Sequence, residues 1–207
     1  MCRTKQSLFR LFTVSLKLSL AAPLVLALPA ASAQAKVEKS VVLKVGDEAP
    51  QFVGTDDKDK KWDTKEKAGK KIYVVYFYPA DMTPGCTKQA CSYRDALKDL
   101  KRKDVEVIGI SGDSVANHQH FKNEYKLNFT LLADPDGKIA GAFGVQTGDG
   151  GSYKTVIAGE KLTLERGVTA SRWTFVIDKD WKIAHKDTKV KADKDSETVL
   201  KLIEKLP

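Results

Sequence analysis

A chain of 207 residues can hold one domain with a sizeable core and is short for two. Its 42% apolar and 30% charged residues are an ordinary globular balance, which argues against a disordered chain. Residues 1–35 carry four Lys/Arg and no acid, so without them the formal charge falls from +8 to +4 and no strongly basic face remains to suggest a nucleic-acid binder.

The N-terminus combines Arg3, Lys5, Arg10 and Lys17 with no acid before Glu38. An apolar stretch from Leu18 to Ala31 ends in the small-residue runs ASA (31–33) and AQA (33–35). This pattern predicts a cleavable export signal over residues 1–35, cut after Ala33 or Ala35, and a soluble, exported or periplasmic domain over 36–207. Pro23, Pro29 and the brevity of the stretch argue against a membrane anchor.

VVLKVGDEAPQF (41–52) predicts a short strand and then an extended segment stiffened by Pro50, and TDDKDKKWDTKEKAGKK (55–71) reads as solvated surface. KKIYVVYFYP (70–79) is apolar on both alternations, as a central strand covered on both sides would be. Helical spacing runs from Cys86 to about Arg102. VEVIGISGD (105–113) is a second buried strand, Ser114 caps a helix reaching Tyr125, and FTLLAD (129–134) is a third strand. DGKIAGAFGV (136–145) predicts a short helix fraying into a Gly-rich loop, QTGDGGSYK (146–154). SRWTFVIDKDWKIAHKDT (171–188) predicts a hairpin turning at Asp178-Lys179-Asp180, with Trp173 and Trp181 packing on its strands. The last helix, capped near Asp195 or Ser196, puts Val199, Leu200, Ile203 and Leu206 on one face. This order implies an α/β fold, a central sheet with helices on both faces.

With Cys2 in the export signal, the mature chain keeps two cysteines, Cys86 and Cys91. They could be a structural bridge, a metal clip or a reacting pair. Export favours a bridge, since disulfides persist outside the cytoplasm. A zinc site needs further ligands, and the only histidines are His118, His120 and His185. His118 and His120 lie two apart on a predicted helix and read as solvated surface.

Extending the Ala90, Tyr93, Leu97 and Leu100 stripe backward lands on Cys86, in the first turn of its helix after the entry Pro84-Gly85. Free N–H groups and the dipole at that end favour an anion, which suits a thiolate. Thr83 lies three residues before Cys86, and Arg172, opening a strand elsewhere, is a candidate second cation. DPDG (134–137) lacks the later acids of a calcium loop, GDGG (148–151) matches no phosphate loop, and NFT (128–130) is a sequon by pattern alone.

PADMTPGC (79–86) resembles the peroxiredoxin pattern of Pro, three residues, Thr, two residues, Cys. CTKQAC (86–91) is similar to the peroxiredoxin Q branch, also called bacterioferritin comigratory protein. GDEAPQF (46–52) resembles the opening of such domains, and SRWTFVID (171–178) their Arg-bearing strand. The resemblance implies a thioredoxin-like fold and a thiol peroxidase needing no metal, haem or flavin. Cys86 would be the peroxidatic cysteine and Cys91 the resolving one. Thr83 and Arg172 would hold the thiolate and peroxide oxygens, Pro79 would shield the sulfur, and Gln89 would orient the Arg. The partners implied are a peroxide and an external dithiol, thioredoxin-like or a small thiol, acting on a monomer.

The stretch from Gly144 to Ser171 is longer than the family pattern suggests, which leaves Arg166 in ERGVTASR as a fallback for Arg172. Two other functions compete: an exported thiol-disulfide oxidoreductase, and a copper-binding thioredoxin-fold protein. The latter pairs cysteines four apart, and here they are five apart.

Overall fold

The computed structural model describes residues 41–102 and 104–206, so the expected export signal lies outside the described residues. The strands are β1 (Val53–Asp56), β2 (Lys61–Asp63), β3 (Ile72–Phe77), β4 (Val105–Ser111), β5 (Thr130–Ala133), β6 (Thr147–Ile157), β7 (Glu160–Ala170), β8 (Trp173–Ile177) and β9 (Ile183–Asp187). The helices are α1 (Pro84–Arg102), α2 (Val115–Tyr125), α3 (Lys138–Ala142) and α4 (Asp195–Ile203).

Seven strands form one mixed sheet in the order β2-β1-β5-β4-β3-β8-β9. β3, β4 and β5 are parallel, as helix-bearing crossovers require, while β8 runs antiparallel to β3. All six residues of β3 are buried, and their alternation feeds two cores. Val74 and Tyr76 face Ala90, Tyr93, Leu97 and Leu100 of α1, Val199 and Ile203 of α4, and Phe121 of α2. Tyr73, Val75 and Phe77 face the opposite layer, with Ile139 and Ala140 of α3, Trp62 and Trp181. The sheet therefore carries helices on both faces, as the strand and helix order implied. Helix starts follow local chemistry: Pro84 has the fixed φ suited to a first helical position, and the Ser114 hydroxyl accepts from the Asn117 N–H at 3.2 Å.

Three expectations need correction. The Gly-rich segment 146–154 is not a loop: β6 and β7 form a long hairpin, closed by Ala158 and Gly159 at positive φ. That two-residue turn has the twist hairpins prefer. Gly150 serves close backbone approach, since a Cβ there would sit 2.3 Å from the Arg166 carbonyl oxygen, and Gly167 of β7 does the same. A Cβ on Gly167 would sit 2.2 Å from the Pro135 carbonyl oxygen, and the Gly167 N–H donates to the Gly112 carbonyl. The charged segment 55–71 is not all solvated surface. It supplies β2 and half of β1, and Trp62 is buried against Phe52 and Tyr73. Residues 41–52 form no regular strand; Glu48 makes a single bridge to Lys182 beside β9.

Candidate active site

The register of β3 and β8 explains how residues 86 positions apart meet. Phe77 pairs with Trp173, so Arg172 lies beside the end of β3, where the chain turns through Pro79 into α1. Cys86 is the third residue of α1 and 2% exposed. Arg172 Nη2 lies 3.1 Å from its Sγ.

Behind the guanidinium stands a chain of buried polar groups. Gln89 lies one turn beyond Cys86, on the same side of α1, and its Oε1 accepts from Arg172 Nη1. Its Nε2 donates to Asp195 Oδ2 at 2.7 Å. The Tyr93 and Thr174 hydroxyls donate to the same oxygen at 2.7 and 2.8 Å. An ionised carboxylate only accepts, so Asp195 obliges Gln89 to present its NH2 there and its oxygen to Arg172. The amide cannot flip without losing both bonds. Burial pushes the Asp195 carboxyl up from its ordinary value, against the bonds from Tyr93, Gln89 and Thr174 that pull it down.

The remaining expected residues fall at varied distances from this centre. Pro79 is half-buried in the connection between β3 and α1. Thr83 directly precedes α1; its carbonyl accepts the Thr87 N–H and its hydroxyl donates to the Ala80 carbonyl at 3.0 Å. Met82, between these residues, has a φ of 64°, a left-handed conformation costing a side-chain-bearing residue roughly 1–2 kcal/mol. Cys91 is a free, half-buried thiol on α1, pushed up by burial, with Arg94 opposing and Asp95 adding to the shift. The fallback cation, Arg166, sits on β7, where its Nε donates to the Thr169 hydroxyl at 2.8 Å. Of the two arginines, the one against the sulfur is Arg172.

Nothing in the sequence marks Asp195, Tyr93 or Thr174 as neighbours of the sulfur's arginine. Asp195 looked like a helix cap and Tyr93 like core, and no local spacing links them. Against the solvated surface expected of both histidines, His118 is fully buried, with Nδ1 2.7 Å from Asp81 Oδ2, while His120 is exposed. The two histidines do point apart, but one of them points inward.

These features define a thiol site of a known class. The family model for AhpC/TSA matches residues 45–186, and the chain belongs to the AhpC/TSA family. It is 41% identical over 137 residues to a Coxiella burnetii protein described as "Putative peroxiredoxin bcp", covering 65% of this chain and 90% of that one. It is 45% identical over 119 residues to a chloroplastic peroxiredoxin Q of Oryza sativa subsp. japonica, covering 58% of this chain and 54% of that one. The chain thus spans about half the length of the chloroplastic relative. Among solved structures it is similar to peroxidoxin BcpB of Mycobacterium tuberculosis, at 29% identity and a TM-score of 0.66 over 80% of this chain and 99% of that one. A Xylella fastidiosa PrxQ variant, at 22% identity and the same TM-score of 0.66, shares the fold over 79% of this chain and 97% of that one. Within the family the chain is of the peroxiredoxin Q and bcp branch, on a thioredoxin-like fold.

Proposed function

We propose that Cys86 reduces hydrogen peroxide and organic hydroperoxides and that Cys91 resolves the product. The chain is a thiol-dependent peroxidase, and the observation that carries this site assignment is the Arg172 guanidinium spanning Cys86 Sγ and Gln89 Oε1. A cation held there favours the thiolate, which is the nucleophile, and offers N–H donors to the peroxide oxygens. The sulfur attacks one oxygen, the O–O bond breaks, and the other oxygen leaves as water or an alcohol once protonated. Cys86 is then a sulfenic acid. The Cys91 thiol displaces that hydroxyl as water, forming a disulfide, and an external dithiol restores both thiols. Thr83 and Pro79 line the approach to the sulfur in this reading.

Both cysteines lie on the continuous α1. In a regular helix positions five apart lie roughly 8–9 Å apart and diverge by about 140°. A disulfide tolerates about 7 Å between Cα atoms. Resolution therefore unwinds the start of α1, and the pair is open for the peroxide step and closed for its product.

In this reading the export-signal pattern of residues 1–35 is removed after Ala33 or Ala35 and the working protein acts outside the cytoplasm; a monomeric state is part of the same proposal. Among the described residues no helix is long and apolar enough to cross a membrane. The test is peroxide consumption by reduced protein supplied with a dithiol. Cys86→Ser should abolish it, whereas Cys91→Ser should reduce one peroxide per molecule, stall as sulfenic acid and over-oxidise in excess peroxide. Steady turnover by Cys86→Ser would overturn the assignment.

A further inference from the structure

Away from the sulfur, a second buried polar cluster grips the loop that enters α1. Asp81, Asp113 and His118 are all essentially inaccessible to solvent. Asp81 Oδ2 pairs with His118 Nδ1 at 2.7 Å, and Asp81 Oδ1 accepts from the Tyr78 hydroxyl at 2.7 Å. The Asp81 backbone N–H donates to Asp113 Oδ2 at 2.9 Å, and that oxygen also accepts from the Ser111 hydroxyl at 2.8 Å. Asp113 Oδ1 in turn accepts from Asn117 Nδ2 at 3.1 Å. One residue of the loop is thus tied to the residues just past β3 and β4 and to the first turn of α2.

Buried charges are costly unless paired, so such a cluster needs a reason to exist. The next residue suggests one. Met82 holds a left-handed backbone that its side chain disfavours, and such strain persists only where the surroundings over-determine it. Thr83 follows, three residues before Cys86, and its carbonyl accepts the Thr87 N–H that closes the first turn of α1. The position of the reacting turn is set by residues 79–83, and Asp81 is where they are held.

We propose that His118 is a positioning residue of the peroxide site: as an imidazolium it neutralises Asp81 and so fixes the strained loop that places Thr83 and the Cys86 turn. This rests on Cys86 being the sulfur that reacts with peroxide. The ionisable groups facing the ring are Asp81 from the loop and Asp113 from beyond β4, with Tyr78 reaching it through Asp81. Burial favours the neutral ring, but the two carboxylates outweigh it and the His118 pKa is raised. The Leu132 carbonyl also favours the protonated ring, although Nε2 has no hydrogen-bond partner. The pairing is therefore complete below the ordinary histidine value and weakens as pH rises through the raised one.

The experiment compares His118→Leu with the double variant Asp81→Asn/His118→Leu, which no longer buries an unpaired carboxylate. Two quantities are read in each: the second-order rate of Cys86 thiol loss with one equivalent of hydrogen peroxide, and hydrogen exchange over residues 79–87. The single variant should react at least about tenfold more slowly, as expected for a misplaced reacting group, and exchange faster in that segment. The double variant should regain melting temperature but neither the rate nor the protection. A folded His118→Leu within about twofold of wild type would overturn the proposal. So would a double variant whose rate recovers with its melting temperature. If the single variant fails to fold, the double variant decides. If wild-type protein does not react with peroxide, the reading of Cys86 fails instead, and unchanged exchange over 79–87 in the variants would still refute the positioning role.

Discussion

Removing the Arg172 guanidinium tests the site most directly, because one side chain holds both the sulfur and the amide behind it. Arg172→Ala deletes a cation 3.1 Å from Cys86 Sγ and leaves Gln89 Oε1, in a fully buried residue, without its donor. At an effective dielectric of about 20, unit charges that close attract by about 5 kcal/mol, an upper bound on the loss to the thiolate. Losing one preorganised donor to developing charge typically costs about 3–4 kcal/mol, or roughly 10²–10³ in rate. Both lines of reasoning place the variant at least a hundredfold below wild type, since a variant alanine supplies neither charge nor donor. Arg172→Lys should recover only part of this, because a single ammonium cannot span the sulfur and Gln89 as the planar fork does. The assay is stopped-flow mixing of reduced protein with stoichiometric hydrogen peroxide, following loss of thiol. Arg166→Ala, altered on β7, should stay near wild type. A rate for Arg172→Ala within about threefold of wild type, or an equal fall in Arg166→Ala, would refute the electrostatic role.

Two further outcomes follow from the same geometry and a third from the N-terminal sequence pattern. Burial raises the Asp195 pKa above its ordinary 3.8, so folding loses stability as pH climbs from that value through the raised one; Asp195→Asn should lack this drift in thermal denaturation from pH 3 to 7 and, with Gln89 freed to flip, should slow the peroxide step by about tenfold. A drift unchanged in the Asn variant would place the titration elsewhere. Oxidation to the Cys86–Cys91 disulfide should accelerate hydrogen exchange over residues 86–95, and equal protection in the two redox states, with the disulfide confirmed by mass, would contradict unwinding of α1. The protein recovered from its native host should begin near Gln34 or Lys36; an intact N-terminus in the membrane fraction would favour an anchor instead.

The site was legible where chemistry followed local spacing and hidden where it depended on the sheet. Cys86 and its helix start could be read from Pro84-Gly85 and the apolar stripe behind them. Arg172 could be named as a candidate, but only the pairing of Phe77 with Trp173 brings it to the sulfur. Asp195 carried no signal at all, because its three donors come from Gln89 and Tyr93 on α1 and from Thr174 on β8. His118 was misread for a related reason: its neighbours Gln119 and His120 are exposed, and the carboxylate that draws the ring inward lies 37 positions earlier in the chain. The hairpin of β6 and β7 was misread as a loop because glycine usually signals a break in structure. Here it lets backbones come together, as at Gly150, where a Cβ would sit 2.3 Å from the Arg166 carbonyl oxygen.

The unequal exposure of the two sulfurs amounts to a division of access. Cys86 is 2% exposed, so in the reduced protein its sulfur is closed to anything as bulky as another protein's thiol. Cys91, half open on the same helix, faces molecules that Cys86 never meets. On the proposed roles, oxidant and reductant would address different atoms, and the Cys86 sulfur would be screened from stray mixed disulfides by shape rather than by chemistry.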